Sequence, residues 1–347
     1  MRIAQVAPLY ESVPPQGYGG TERVVANITE ELVCQGHEVT LFASADSVTS
    51  AELRPMSPRS LRLDADCIDQ LAHHVYMMEQ VIKDSGDFDL IHNHVDYLIF
   101  PLARRCRVPV VTTLHGRLDI PDLVPVYREF SEQAVVSISD SQRTPLPFAN
   151  WVGTVYHGLP VDEYRFHEGP GDYLAFLGRI SPEKRCDWAI EIATRAGMPL
   201  KIAAKVDKTD RDYFEAEIKP LLEQPGVEFL GEVGGREKSE FLGNAQALLF
   251  PIDWPEPFGL VMIEAMACGT PVIARRRGSV PEVVTHGETG FIIDDVDEGV
   301  RAVQAIAGLD RRACRAGFEK RFTAPRMAGD YVRIYEQMAP QEMSVVA

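Results

Sequence analysis

The sequence predicts an α/β protein made of two doubly wound parallel-sheet domains in tandem. Short apolar runs of strand length alternate with amphipathic runs of helix length along all 347 residues, the pattern of parallel sheets covered by helices. A polar stretch, Asp162–Asp172, interrupts the alternation, and a new apolar run follows it. We therefore predict an N-terminal domain over residues 1–160, a C-terminal domain over 161–325, and a terminal helix over 326–347 that packs back toward the N-terminal domain. Ligands of such sheets bind at the carboxyl ends of the strands, so we expect the domains to face each other across a cleft that holds the active site.

The first half contains six predicted strands and two amphipathic helices. The helix Thr21–Gln35 places its apolar side chains on one face and ends before Gly36, a residue that favours helix termination. A second helix, Asp66–Lys83, is expected to bury one apolar stripe, formed by Ile68, Leu71, Val75, Met78 and Ile82. The predicted strands are Ile3–Ala7, Val39–Phe42, Leu90–His92, Val110–Thr113, Val135–Ile138 and Thr154–Tyr156.

The second half repeats this architecture without repeating the sequence. A helix is predicted at Leu260–Cys268, closed by Gly269, and a last helix at Ala324–Met338 carries apolar residues on one face. The predicted strands are Tyr173–Leu177, Leu200–Ala203, Val227–Leu230, Ala247–Phe250, Val272–Ala274 and Phe291–Ile293.

Composition excludes several classes of protein. The formal net charge of −16 argues against nucleic acid and anionic membrane surfaces as partners. No apolar run reaches 18 residues, and the start of the chain is too polar for a signal peptide. The six cysteines form neither a C-x-x-C pair nor a cluster with histidine, which is typical of reduced thiols. We therefore expect a soluble, cytoplasmic protein.

Two carboxylates flank a predicted helix start in the second half. Pro257 disfavours the helical conformation for Glu256, so this side chain is expected in a loop. Gly259 permits a sharp turn into the helix, and Glu264 lies about one turn beyond Leu260 on the same face. Helix N-termini bind anions and carboxylates bind hydroxyls, so the segment fits a phosphorylated sugar or a nucleotide sugar.

A glycosidase is a poor alternative interpretation of this pair. Glu256 and Glu264 are eight positions apart, roughly 12 Å along a helix, whereas glycosidase carboxylates lie roughly 5 to 9.5 Å apart. The anion-binding backbone between them would also have no role.

Two loops that follow first strands are candidates for phosphate binding. In Gly17–Glu22 the glycines allow close approach of the backbone, but Glu22 replaces the third glycine of a dinucleotide fingerprint and no ribose-binding acid follows the second strand. An NAD oxidoreductase is therefore the weakest interpretation. In the other loop, Arg179 and Lys184 are close enough in sequence to bracket one anion.

His115 follows a strand and precedes a glycine, so it is placed to reach a ligand hydroxyl. His92 and His94 have a similar position after another strand. Their H-x-H spacing suggests a metal, but no nearby carboxylate or cysteine pattern supports one.

Taken together, these positions resemble the retaining glycosyltransferases of family 4, which have the GT-B fold of two facing Rossmann-like domains. The resemblance covers nearly the whole chain. Its most specific mark is the pair Glu256 and Glu264 with a Phe-Gly turn between them. The other marks are Gly19-Gly20, His115, Gly178-Arg179 with Lys184, and Gly278–Glu282 ahead of Gly287–Gly290.

The resemblance implies a role for each of these residues. Arg179 and Lys184 would neutralise the leaving diphosphate, Glu256 would bind sugar hydroxyls, and Glu264 would bind the ribose diol. His115 would meet the transferred sugar. Further donor contacts would come from Gly19 and Gly20, from Phe229 and Leu230 beside the base, and from the backbone of Phe258, Gly259, Leu260 and Val261.

The implied reaction is transfer of a hexose from a nucleotide-diphosphate sugar to an acceptor hydroxyl, with retention and without a cofactor or metal. A UDP-sugar is the favoured donor, with GDP-mannose as the alternative. Two departures bear on donor choice: Arg185 follows Lys184 where relatives have glycine, and Lys205 stands where they have a glycine-rich turn. Lys205 is expected to add a charge near the diphosphate.

The alternatives are a GT-B-fold nucleotide-sugar epimerase or phosphorylase, and a non-catalytic nucleotide-sugar-binding protein. Some members of the family act on membrane lipids, but the acidic balance and the lack of a basic amphipathic helix argue against membrane contact here. The sugar, the acceptor and the oligomeric state have no readable signal in the sequence.

Overall fold

Two parallel β-sheets, one in each of two units, organise the computed structural model, which describes residues 1–17 and 19–338. The first unit comprises residues 1–138, 143–158 and, within the described part, 324–338. The second comprises residues 139–142 and 159–323.

The first sheet has seven strands in the order β3-β2-β1-β4-β5-β6-β7, all paired in parallel. This order reverses direction between β1 and β4, as in a Rossmann fold. The strands are β1 Arg2–Val6, β2 Glu38–Ser44, β3 Glu52–Ser57, β4 Leu90–Asn93, β5 Val110–Thr113, β6 Ala134–Ser137 and β7 Trp151–Thr154. The helices of this unit are α1 Gly20–Cys34, α2 Gln70–Lys83, α3 Phe100–Ala103 and α4 Leu123–Glu129, together with the last helix of the chain.

The second sheet has six parallel strands in the order β10-β9-β8-β11-β12-β13, with its reversal between β8 and β11. The strands are β8 Tyr173–Arg179, β9 Leu200–Lys205, β10 Val227–Gly231, β11 Ala245–Phe250, β12 Val272–Arg275 and β13 Gly290–Ile293. The helices are α5 Cys186–Ala196, α6 Arg211–Tyr213, α7 Gly235–Gly243, α8 Leu260–Ala267, α9 Val280–Val283, α10 Val296–Ala305 and α11 Arg311–Arg321. The last helix, α12 Ala324–Met338, belongs to the first unit.

The predicted fold class, two doubly wound parallel sheets, is confirmed, with two differences in the first sheet. Strand β3 was not predicted, because Glu52–Ser57 contains two charged residues and a proline and lies at the sheet edge, where burial does not require an apolar pattern. The last strand runs over Trp151–Thr154, whereas Thr154–Tyr156 was predicted. The part of the predicted terminal helix beyond Met338 lies outside the described residues.

Helix α2 buries only part of the predicted stripe: Met78 is buried and Ile82 packs against the core, but the other three residues do neither. Ile68 lies before the helix and is fully exposed, and Leu71 and Val75 are more than half exposed. The buried side chains are His74, Met77, Met78 and Val81. His74 occupies the buried face because its Nε2 accepts the backbone N–H of Leu9 at 3.1 Å and its Nδ1 bonds the carbonyl of Gln70. A hydrogen-bonded histidine therefore replaces an apolar residue at the centre of this face.

Candidate functional site

The carboxyl edge of the second sheet brings the loops after β8 and β11 together. These strands are neighbours at the point where the strand order reverses, which is the usual ligand site of a doubly wound fold. The first loop carries Lys184 and the second carries Glu256. The backbone N–H of Asp253 donates to the carbonyl of Glu183 at 2.8 Å and ties the two loops together.

Lys184 and Glu256 form a partly buried ion pair at this edge. The Nζ atom of Lys184 donates to Oε2 of Glu256, and the side chains are 18% and 11% exposed. The same oxygen accepts from Nε1 of Trp254 at 3.0 Å, and the ammonium group lies 4.9 Å from the Trp254 ring centre. The loops therefore hold a cation and a carboxylate side by side, one suited to phosphate and the other to hydroxyl groups.

Arg179 and Lys205 are register partners at the ends of β8 and β9 and are surrounded by acids. Nη2 of Arg179 donates to Glu183 at 2.7 Å, and its Nε lies 3.4 Å from Oδ2 of Asp210. Asp207 lies 3.8 Å from Nη1 of Arg179 and 3.0 Å from Nζ of Lys205.

The two cations predicted to bracket one anion thus have separate carboxylate partners. Lys184 contacts Glu256, and Arg179 contacts acids on its own strand-end loop and on the loop after β9. An incoming phosphate must compete with these carboxylates. The joint action of Arg179 and Lys184 on one anion therefore stays a prediction.

Glu264 is held in a buried triad that sequence reasoning did not find. Its Oε1 accepts from the hydroxyl of Tyr164 at 2.8 Å and from Nζ of Lys238 at 2.5 Å. Lys238 and Glu264 are only 11% and 7% exposed at their side chains. Lys238 lies in the charged stretch of α7, which looks like a solvated surface; the one signal in the sequence is that it precedes the buried Phe241 by three positions.

The start of α8 has the predicted geometry around Gly259. This glycine has φ +79°, and an added Cβ would lie 2.9 Å from Cε of Met262 and 3.2 Å from the Phe250 ring. Gly259, Leu260 and Val261 are partly exposed, and the first N–H groups of a helix have no partner within it. Phe258, in contrast, is buried, and the donor contact predicted for its backbone stays a prediction.

The two residues predicted to lie beside the base differ in environment. Phe229 packs against the core with its ring centre 5.7 Å from that of Phe214, whereas Leu230 is 41% exposed. Adjacent residues of a strand point to opposite faces, so Leu230 presents the more accessible apolar side chain of the two.

The predicted glycine-rich loop lies at the start of α1 in the first unit. Gly20 begins the helix, and a Cβ at Gly19 would meet the Pro15 side chain at 2.7 Å, so close packing requires glycine at Gly19. Glu22 is buried, and burial raises the pKa of its carboxyl group. Tyr18 lies outside the described residues.

His115 is half-buried and contacts a cluster of buried side chains at the carboxyl edge of the first sheet. Its Nε2 lies 2.9 Å from Nδ1 of His94, and Nε2 of His94 lies 2.9 Å from Oε1 of Gln5. The His115 ring stacks on that of His157, with centres 5.4 Å apart. Gln5 lies near the end of β1, and His94 and His115 follow β4 and β5, so these three side chains lie where the strand order of the first sheet reverses.

The other side of the cluster is formed by helix α12. The Tyr335 hydroxyl lies 2.6 Å from Nδ1 of His92, and Nε2 of His92 lies 2.8 Å from Oγ1 of Thr113. Thr113 donates in turn to the hydroxyl of Tyr331 at 3.0 Å. Both tyrosines are fully buried, and their hydroxyl groups are satisfied by His92 and Thr113.

Burial keeps the clustered histidines neutral. It lowers the pKa of His115 to about 3 and holds the pKa values of His92, His94 and His157 well below the ordinary range, with repulsion between neighbouring histidines adding to the shift of those three. At neutral pH these rings therefore act as hydrogen-bonding groups without charge.

The part of the chain that the structure describes has neither a cluster suited to a metal ion nor a helix suited to crossing a membrane. Across residues 1–17 and 19–338, no group of three or more His, Cys, Asp or Glu side chains is arranged to hold a metal ion. None of the helices in those ranges combines the length and apolar character needed to cross a membrane.

Comparison with known proteins identifies the two halves of the chain. Residues 18–151 match the model of Glycosyltransferase Family 4, and residues 163–309 match that of Glycosyl transferases group 1. The phosphatidyl-myo-inositol mannosyltransferase of Mycolicibacterium smegmatis is 27% identical over 355 residues, which cover 92% of this chain and 88% of that protein.

Two solved structures share the fold. AviGT4, a glycosyltransferase involved in avilamycin A biosynthesis, superposes with a TM-score of 0.74 at 24% identity, covering 98% of each chain. HepE from Anabaena, solved with UDP and glucose, superposes with a TM-score of 0.73 at 18% identity, covering 97% of this chain and 100% of the other. Glycosyltransferase family models match both halves of the chain, and solved glycosyltransferases share its fold. The chain therefore belongs to the glycosyltransferases of the GT-B fold and is family 4-like.

Proposed function

We propose that the protein transfers a hexose from a nucleotide-diphosphate sugar to an acceptor hydroxyl with retention of anomeric configuration and without a metal ion. The observation that carries the proposal is the Lys184–Glu256 pair beside the start of α8. One edge of the second sheet thus offers a cation, a hydroxyl-binding carboxylate and a helix N-terminus, the groups needed for a phosphorylated sugar.

The chemistry follows from the charge that develops on the leaving group. As the bond between the anomeric carbon and the diphosphate oxygen breaks, the nucleoside diphosphate gains negative charge. Lys184, Arg179 and the N–H groups at the start of α8 stabilise that charge, which is the role a metal ion has in other transferases. The acceptor oxygen attacks from the face that the diphosphate leaves, and its proton passes to a diphosphate oxygen.

The remaining roles concern hydroxyl groups. Glu256 accepts hydrogen bonds from the sugar, and Glu264, fixed by Tyr164 and Lys238, accepts them from the ribose. His115, neutral because of burial, forms a hydrogen bond with a hydroxyl of the transferred sugar. No side chain acts as a nucleophile in this scheme.

UDP-glucose and related UDP-sugars are the favoured donors. HepE, which shares the fold, was solved with UDP, with UDP and glucose, and with UDP-glucose. The similarity to a mannosyltransferase makes GDP-mannose the second donor to test.

Donor turnover with water as acceptor tests the proposal without knowledge of the natural acceptor. Purified protein is incubated with UDP-glucose, UDP-galactose or GDP-mannose, with and without EDTA. Released nucleotide and the anomer first formed are followed by NMR. We expect release of one nucleotide diphosphate, unaffected by EDTA, with the sugar appearing first in the donor's anomeric form.

Lys184→Ala should lower the turnover number by roughly 10²- to 10³-fold, the usual cost of removing one group that stabilises transition-state charge. Lys219→Ala removes an exposed lysine that pairs with Glu215 and serves as the matched control. Near-normal turnover in Lys184→Ala would refute the role of Lys184. Sugar 1-phosphate formed only with added phosphate would indicate a phosphorylase, a new nucleotide sugar without nucleotide release an epimerase, and binding without turnover a sensor.

A further inference from the structure

The side-chain amide of Gln5 determines which atoms donate and which accept in the hydrogen bonds from Gln5 through His94 to His115. The Oε1 atom of Gln5 faces Nε2 of His94 at 2.9 Å, and an amide oxygen can only accept. Nε2 of His94 must therefore carry a hydrogen. Since His94 is neutral, its Nδ1 has a lone pair.

The same logic extends from His94 to His115. Nδ1 of His94 lies 2.9 Å from Nε2 of His115, and because Nδ1 can only accept, Nε2 of His115 must donate. The neutral His115 ring then has its lone pair on Nδ1. That atom is buried and has no hydrogen-bond partner among residues 1–17 and 19–338.

The orientation of the Gln5 amide is fixed from its other end by helix α12. The Nε2 atom of Gln5 donates to the Tyr335 hydroxyl at 3.3 Å and lies 3.4 Å from Nδ1 of His92. The Tyr335 hydroxyl, which accepts from Gln5, is free to donate to His92 at 2.6 Å. A rotated amide would place its oxygen toward the tyrosine and its NH₂ group toward His94, and this would reverse every hydrogen bond as far as His115.

We propose that Gln5 and His94 are positioning residues that hold His115 as the Nε2–H tautomer, so that its Nδ1 lone pair receives a hydrogen bond from a sugar hydroxyl. The proposal rests on the function proposed above, because the sugar hydroxyl comes from that function. It adds the direction of the hydrogen bond between His115 and the sugar: His115 accepts and does not donate. A buried acceptor with no protein partner is costly to leave unpaired, and a ligand hydroxyl would satisfy it.

The tautomer is measured directly, without any substrate. Protein labelled with ¹⁵N-histidine is studied by long-range ¹H–¹⁵N NMR, and the His115 signals are assigned by their loss in His115→Gln. We expect a protonated Nε2 and an unprotonated Nδ1 for His115. A protonated Nδ1 would overturn the proposal whatever the activity.

Two tyrosines on α12 provide a matched pair of variants. Tyr335→Phe removes the group that orients Gln5 and should give His115 a mixture of both tautomers. Tyr331→Phe removes an equally buried hydroxyl that contacts Thr113, and it should keep the Nε2–H form. Equal spectra in the two variants would contradict the relay through Gln5.

Donor turnover then links the tautomer to function. His94→Leu removes the acceptor for His115 and should lower kcat/KM by roughly 10- to 100-fold, the range for residues that orient another side chain. His94→Asn can place an amide oxygen near the former Nδ1 and should recover most of that loss. Full activity in His94→Leu with a scrambled tautomer would refute the proposal. If the tautomer is as expected and no nucleotide sugar is turned over, the proposed function fails while the hydrogen-bond direction stands.

Discussion

The carboxylate of Glu256 neutralises Lys184 and accepts a hydrogen bond from Trp254. Removing its charge should have opposite effects on the binding of phosphate and of a sugar hydroxyl. A phosphate that binds Lys184 must displace this carboxylate, whereas a sugar hydroxyl needs the carboxylate as acceptor. If the protein has the proposed function, we therefore expect this residue to weaken binding of the nucleotide product and to favour binding of the intact donor.

Glu256→Gln should separate these effects. The amide keeps a hydrogen-bond partner for Trp254 but leaves the charge of Lys184 uncompensated, so UDP should bind about three- to tenfold more tightly, equivalent to about 0.7–1.4 kcal/mol. Turnover of the sugar nucleotide should fall at the same time. Calorimetric titration with UDP gives the affinity, and Glu215→Gln, which frees the exposed Lys219, is the matched control. Weaker UDP binding in Glu256→Gln would contradict the competition between carboxylate and phosphate.

At the scale of elements, the turn before α8 combines backbone conformation with close packing. Gly259→Ala forces an alanine into the left-handed backbone conformation, with φ +79°, and places its Cβ 2.9 Å from Cε of Met262. Gly287→Ala has the same conformational cost, φ +80°, but open space around the new Cβ. We expect roughly 1–2 kcal/mol of destabilisation for Gly287→Ala and clearly more for Gly259→Ala, measured by urea unfolding. Equal losses would show that packing against Met262 and Phe250 adds nothing.

Helix α7 contributes Lys238 to the buried pair with Glu264. Lys238→Met leaves a buried carboxylate without its counter-charge, which should cost about 3–5 kcal/mol of unfolding free energy. The double variant Lys238→Met/Glu264→Gln removes both charges and should recover much of that loss. Lys201→Met, which breaks an exposed pair with Glu228 across 3.5 Å, should cost less than about 1 kcal/mol. A single variant no worse than this control would contradict the buried pair.

Sequence patterns predicted the strands that are apolar runs, among them the edge strands β10 and β13 of the second sheet. Strands such as β8 and β11 appear as apolar runs because helices cover both faces, whereas the edge strand β3 has no such requirement. The buried face of helix α2 was predicted only in part, because His74 is buried by hydrogen bonds that no periodicity reveals.

Some residues of the candidate site could likewise be predicted from the sequence, and others could not. Lys184 and Glu256 come from loops at fixed offsets from strand ends, so that the sequence alone indicated that they lie at one sheet edge. Lys238 and Gln5 could not be predicted, because each meets its partner across long sequence separation: Lys238 looks like part of a charged surface, and Gln5 like an ordinary residue of a strand. Their roles depend on atoms that only tertiary structure brings together.

For the whole molecule, the neutral histidine cluster predicts loss of stability in mild acid. His92, His94, His115 and His157 have pKa values in the folded protein below the ordinary value of about 6.5, so the unfolded chain binds more protons as pH falls. Their contribution is therefore fully present above pH 6.5 and declines below it, toward pH 3 in the case of His115. Each ring that stays neutral should add about 1.4 kcal/mol per pH unit to the slope. Glu22 opposes this trend, because burial raises the pKa of its carboxyl group.

Urea unfolding between pH 7.5 and 4.5 measures this slope, followed through the histidine signals of the first unit. His157→Gln removes one cluster member without touching the Gln5–His94–His115 bonds, so its slope should be shallower than that of the native protein by up to about 1.4 kcal/mol per pH unit. His73→Gln, on α2 and outside the cluster, is the control for replacing a histidine and should keep the native slope. Parallel pH dependences for all three proteins would mean that the cluster takes up protons in the folded state, and the neutral rings required for a hydroxyl-accepting His115 would be lost with it.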